Sequence, residues 1–354
     1  MTRFLQRFLT LVGLILLMAA CSQEKGDSIG RVPHRSVYYW KTTFNLTEQD
    51  FTFLDKHSID RIYLRMFDVD VSSDYVRDTY TVVPIATCNF VSAKPDSIEI
   101  VPTVFITLSA LRAYEGKESV LAGLITKRVL NMCSYNDLGP VSEIQFDCDW
   151  TGSTRATYGK LCKAAKDILH PQGINLSGTI RLHQVGEARY PFDKGVLMLY
   201  NTGAIKDPET STSIITYDDV KKYLGVKSRT DRFLKARRDN CPEIDFAYPT
   251  FCWNVAFTED GRFDGILPKL ELDGYSELKR IGNRFDVLEY CEIGDSYLLS
   301  GQTIRPEFAE YSEVAKVKNL VKSTLGKAGS NILFHLDASN LSKYSDNEIE
   351  TILK

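Results

Sequence analysis

Hydrophobic and polar positions alternate along this chain in short runs, set between longer stretches in which apolar residues recur every three to four positions. The short runs fall at residues 37–42, 61–67, 99–107, 143–149, 174–182, 195–201, 245–251 and 331–337, which makes eight strands. Most are joined by helical patterns rather than tight turns. "KESVLAGLITKRVLNMC" and "TRATYGKLCKAAKDIL" each carry an apolar stripe, and the second is stopped by Pro171 and Gly173. Thr47 with Asp50, and Ser345 with Glu348, mark two helix starts, because each hydroxyl can accept from the backbone N–H three residues on. Eight strands with intervening helices predict parallel pairing, an α/β fold and specifically a (β/α)8 TIM-like barrel.

Two connections depart from that scheme. Between the second and third strands, "DYVRDTYTVVPIATCNF" reads as extended chain, so a hairpin or loop is expected there in place of a helix. Between the seventh and eighth, "RFDVLEYCEIGDSYLLSGQTIRPE" has β-rich runs on either side of the turn-like "IGDS". This predicts a small β-rich insertion between strands 7 and 8, with "FAEYSEVAKVKNLVKSTLG" as the crossover helix that follows it.

The N-terminus stands apart from the fold. Arg3 and Arg7 precede an apolar run over residues 8–20, too short for the ~20 residues of a membrane-spanning helix but suited to a secretory signal peptide. Its end, "LLMAAC", resembles a bacterial lipobox, which implies lipidation of Cys21. Residues 1–20 are thus read as a lipoprotein signal peptide, 21–35 as a polar lipidated tether and 36–354 as the barrel domain. Ser22 after Cys21, rather than Asp, points to the outer membrane of the cell envelope, with the periplasmic or surface orientation open.

Composition narrows the chemistry. At 44% hydrophobic and 25% charged the chain is ordinary globular material, and loss of Arg3 and Arg7 moves its formal charge from −3 to −5. No basic block interleaved with aromatic residues appears, so nucleic acid is not an expected partner. Beyond Cys21, seven scattered cysteines without CxxC spacing resemble neither a disulfide framework nor a zinc site. No H-E-x-x-H, G-x-S-x-G or P-loop motif is present, and an Asp-x-Asp without a third ligand argues against a metal. No cofactor is expected.

One stretch carries the functional reading. In "SEIQFDCDWTG", Ile144, Phe146 and Cys148 form an apolar face, while Gln145, Asp147 and Asp149 alternate on the other. Barrel strands send alternate side chains inward, and catalytic groups gather at the strands' C-terminal ends. Asp147 and Asp149 would lie there about 6.6 Å apart along the strand. A strand ending in alternating acids resembles the DxDxE signature of the family 18 glycoside hydrolases, the chitinase-like barrels, and also uncharacterised bacterial barrel lipoproteins with an acidic fourth strand. Gln145 takes the place of the first Asp, Asp147 the second, and Asp149 that of the acid Glu. The sixth strand, "GVLMLYN", is similar to the family's Met-x-Tyr-Asp/Asn strand end.

The resemblance implies a glycoside hydrolase-like barrel acting on glycans, amino-sugar glycans among the candidates. Asp149 would be the proton donor and Asp147 the carboxylate that tunes it, with Tyr200 and Asn201 near the substrate's acetamido group. The departures are concrete: Asp149 is one methylene shorter than Glu, Gln145 carries no charge, and the last strand has His335 and Asp337 in place of an indole platform. A glycan-binding lipoprotein that kept the barrel and lost the chemistry is the alternative. Arg181 and His183 on the fifth strand, with Trp40, Tyr248 and Trp253 near other strand ends, complete the candidate substrate contacts. For Arg181, a buried ion pair filling the barrel is an equal reading.

Overall fold

A computed structural model of the protein describes residues 33–74, 79–187, 190–239 and 243–354; the residues read as a signal peptide, Cys21 and Cys241 lie outside the described residues. Eight parallel strands are numbered here in chain order: β1 (Ser36–Tyr39), β2 (Arg61–Asp74), β3 (Glu99–Ile106), β4 (Glu143–Asp147), β5 (Asn175–Ile180), β6 (Lys194–Met198), β7 (Glu243–Pro249) and β8 (Asn331–Phe334). Each pairs with the next, and β8 returns to β1, so the barrel is closed. The fold class read from the sequence is the one found.

The helices form where sequence and capping chemistry agree. Thr47 accepts from Asp50 N at 3.2 Å and Asp50 Oδ2 accepts from Thr47 N at 2.9 Å, which starts the helix Glu48–Lys56. Ser345 and Glu348 close the same reciprocal pair ahead of Asp346–Leu353. The helix Arg155–Leu169 ends in a short 3₁₀ turn and Gly173, whose φ of 73° lies in the left-handed region open to glycine.

Both irregular connections have structural counterparts. After β2 the chain returns as Thr79–Ile85, antiparallel to residues 68–74, so this connection is a hairpin. Between β7 and β8, strands Phe263–Leu267, Cys252–Phe257, Thr303–Phe308, Arg284–Val287 and Leu278–Ile281 lie side by side in an antiparallel sheet. The hairpin Cys291–Ile293 with Ser296–Leu298 turns through the "IGDS" stretch. This insertion has its own small core around Leu278, Phe285, Leu298 and Ile304. It is tied to the barrel by Arg305, which donates to the carbonyls of Ile205 and Asp207 at 3.1 and 2.7 Å and pairs with Glu307 at 2.7 Å.

The barrel interior is polar along β4. Glu143, Gln145 and Asp147 alternate on its inward face, while Ile144, Phe146 and Cys148 are buried in the core cluster on the other. At the lower level Lys194 reaches Asp245, Glu243 and Glu143 at 2.9, 3.5 and 3.7 Å, and Arg61 pairs with Glu143 at 3.4 Å. At the middle level Tyr38 donates to Gln145 Oε1 at 2.8 Å across the barrel. The plug of charges seals the bottom, and the upper level opens to solvent.

Removing one partner of this plug leaves charges that water cannot reach. Lys194→Met is expected to cost about 3–5 kcal/mol in urea denaturation at pH 7, because Glu143 and Asp245 lose their shared cation. Burial already holds the Asp245 carboxyl above its usual range while Lys194 pulls it down, so the variant lets it rise further. A raised carboxyl makes the folded state bind more protons than the unfolded one, so the variant should regain stability from pH 7 to pH 5. Equal deficits at both pH values would refute this account.

Candidate functional site

The site is built at the rim where β4 and β5 end. β4 stops at Asp147, two residues short of the sequence reading, where its pairing with β3 ends. Asp149 therefore stands in the loop, its side chain 48% exposed, above Asp147, which is 2% exposed.

Arg181, directly after β5, joins the two acids. Its Nη2 donates to Asp147 at 3.2 and 3.4 Å, and its Nε donates to Asp149 Oδ1. Thr179, two residues earlier on the same inward face, donates to Asp147 Oδ1 at 2.6 Å. Burial pushes the Asp147 carboxyl above its usual range; Arg181 and the Thr179 hydrogen bond oppose the rise, while Asp149 and Asp68 add to it. The Arg181 guanidinium also lies over the ring of Tyr200, 5.7 Å from its centroid. Of the two readings of Arg181, the ion pair is formed, but at the open end of the barrel and not as interior filling.

Aromatic side chains wall the remaining sides. Tyr200 stacks on Phe334 at 4.5 Å between centroids, and Phe251 meets Tyr200 and Trp253 edge-on at 6.0 and 5.0 Å. Trp40 packs on Phe334 at 5.7 Å and carries the Arg65 guanidinium over its face, and Arg65 pairs with Asp68. Trp253 is held by the insertion: its Nε1 donates to Glu307 Oε2 at 2.8 Å, and that same oxygen accepts from the backbone and hydroxyl of Ser213. Together these residues enclose an open cleft of about 440 Å³.

The cleft brings together most of the residues singled out in the sequence. Asp147, Asp149, Arg181, Tyr200, Asn201, Trp40 and Trp253 all line it. Asn201 holds a φ of 55°, a left-handed conformation that Asn tolerates better than most residues, at the bend where the chain leaves the barrel. Three others stand elsewhere. Gln145 is fully buried one level below, bonded to Tyr38. Tyr248 is buried in the core, since Asp245 points into the barrel and Tyr248 occupies the opposite face of β7. His183 is exposed in a 3₁₀ turn, its Nε2 3.4 Å from the carbonyl of Trp150; the fifth strand ends at Ile180, so the alternation that placed His183 beside Arg181 does not extend that far.

Sequence reasoning passed over Phe105, Phe251, Cys252 and Phe334, which also line the cleft, and noted His335 only as standing where an indole platform is expected. Phe105 and Phe334 lie in the last two residues of β3 and β8, and Phe251 and Cys252 two and three residues past β7, so position on a barrel strand was the usable signal. Hydrophobic residues there are indistinguishable in sequence from core.

No protein-family model matches the chain, and no curated protein matches it by sequence. Solved structures do. A chitinase from Chromobacterium violaceum superposes with a TM-score of 0.50 at 12% identity, over 91% of this chain and 98% of that one. The family 18 chitinase ChiB of Flavobacterium johnsoniae gives 0.49 at 9% identity, over 90% and 93%. The Bacillus megaterium spore cortex-lytic enzyme SleL gives 0.49 at 11%, over 93% and 76%. The closed eight-stranded parallel barrel, together with the Chromobacterium superposition, makes this chain a chitinase-like TIM barrel in fold.

Proposed function

We propose that the protein is an exported, glycan-acting barrel of the glycoside hydrolase kind, and that the cleft at the β4 and β5 rim is its sugar site. The observation that carries this is the convergence of Asp147, Asp149 and Arg181 with Tyr200, Trp40 and Trp253 around one open space. Aromatic faces stack on the apolar faces of sugar rings, and the carboxylates and guanidinium bond their hydroxyls.

In this reading Asp149 is the proton donor, because it stands at the cleft mouth while Asp147 is sealed under Thr179 and Arg181. The glycosidic oxygen takes the proton from Asp149 as its bond to the anomeric carbon breaks. On an amino-sugar substrate the acetamido oxygen attacks that carbon, and water later opens the resulting ring. Arg181 must release Asp149 for the acid to carry a proton, and its second hold on Asp147 keeps the guanidinium in place meanwhile.

A specific observation favours a second reading. Arg181 engages both acids at once, which pairs the charges that acid catalysis would use. A cleft in this state binds glycans without cleaving them.

Asp149→Asn separates the two. For the hydrolase it should lower turnover of chito-oligosaccharides by ~10²–10⁴-fold with affinity kept, since it removes the titrating proton and little else. Asp147→Asn should also lower turnover, whereas Trp253→Ala should weaken binding and spare the chemical step. Binding without turnover that responds to Trp253→Ala alone would establish the binding reading, and no affinity for such glycans would leave only the fold.

We propose in addition that Cys21 is the acylated first residue of a protein held in the cell envelope, as the lipobox-like "LLMAAC" supports. Mass spectrometry of the native protein should find a diacyl- or triacylglyceryl Cys21 at the N-terminus. A chain beginning at Met1, or a free Cys21 thiol, would refute it.

A further inference from the structure

His335 follows β8 directly and lines the cleft beside Trp40, Phe334 and Trp253. Among the described residues its Nδ1, sealed from water, finds no hydrogen-bond partner of good geometry. Burial drives its pKa down to about 4; the nearby Asp337 and the Leu336 backbone oppose this and Lys41 adds to it. The ring is therefore neutral at physiological pH, with one nitrogen a donor and the other an acceptor. A sealed polar atom without a partner costs roughly 1–3 kcal/mol, so one that belongs to a ring lining an open cleft calls for an explanation.

We infer that His335 is a positioning residue for the glycan, bonding a sugar hydroxyl on the wall of the cleft formed by β8. This rests on the glycan reading of the same cleft and extends it to a residue that reading does not use. A hydroxyl both donates and accepts, so it satisfies the imidazole in either tautomer, and a neutral ring suits an uncharged sugar. The ring's χ2 has broad wells, and a half-turn exchanges Nδ1 with Cδ2, so a nitrogen can be brought to a bound ligand within the same space. The two cleft guanidiniums are already paired, Arg65 with Asp68 and Arg181 with both acids, which leaves His335 as the polar group of this wall open to a neutral ligand.

The test is calorimetric titration of the full chain with chitotetraose and with cellotetraose, alongside thermal unfolding. His335→Phe keeps a ring of similar size and removes both nitrogens, so affinity should fall about 3- to 10-fold for the better probe, the loss of one neutral hydrogen bond. Its Tm should hold or rise, because a sealed unpartnered atom is gone. His335→Asn restores a donor and an acceptor and should recover affinity to within about 2-fold of the original. This opposition of stability and affinity is what a merely structural histidine would not produce. Unchanged affinity in both variants, while Trp253→Ala weakens binding, overturns the role of His335 and leaves the cleft reading intact. A lower Tm with unchanged affinity does the same. If the original protein binds neither probe, both the glycan reading and this inference fall.

Discussion

Closing eight parallel strands on themselves sends every second side chain of each strand into a space that bulk water reaches only at the ends. On β4 those side chains are Glu143, Gln145 and Asp147, none of them apolar, so the fold needs partners for them from across the barrel. β6 and β2 supply Lys194 and Arg61 at the bottom, β1 supplies Tyr38 in the middle, and β5 supplies Thr179 and then Arg181 at the top. The order of polarity up one strand thus dictates what its neighbours carry.

The same column explains why the site is where it is. Below Asp147 the interior is closed to solvent; above it the strand pairing ends, and Asp149 and Arg181 meet in a cleft open to solvent. The aromatic walls come from β1, β6, β8 and the start of the insertion, so no one segment of the chain contains the site. The insertion contributes through Glu307, a buried carboxylate that accepts from Trp253 and Ser213 and so sets the indole's position relative to the acids. A barrel without the insertion would lack that indole anchor.

Arg181 is the residue on which the proposed chemistry turns. The guanidinium favours the anionic form of Asp147 and lends both acids a fixed geometry. Burial acts the other way on Asp147. The balance between those effects is a property of distances of about 3 Å, and a sugar that displaced the guanidinium from Asp149 would change it.

Much of this architecture was legible from the chain alone. The eight strands follow from period-two alternation, the helices from their apolar stripes and from capping pairs such as Thr47 with Asp50, and the insertion from β-rich runs about a turn; all are local patterns that neighbouring residues specify. The strand-end position of Asp147 and the rim position of Arg181 and Tyr200 followed from counting along strands. Where β4 and β5 stop was not legible, since strand ends depend on whether a partner strand continues beside them, and this moved Asp149 off the strand and His183 out of the cleft. Tyr248 and Gln145 were misplaced for a related reason: which face of β7 points inward, and how deep in the barrel a residue sits, are settled by register between distant strands. The pairing of Arg181 with both acids, the Glu307 anchor and the unpartnered His335 were likewise decided only by tertiary structure, because each depends on side chains tens to hundreds of residues apart meeting at contact distance.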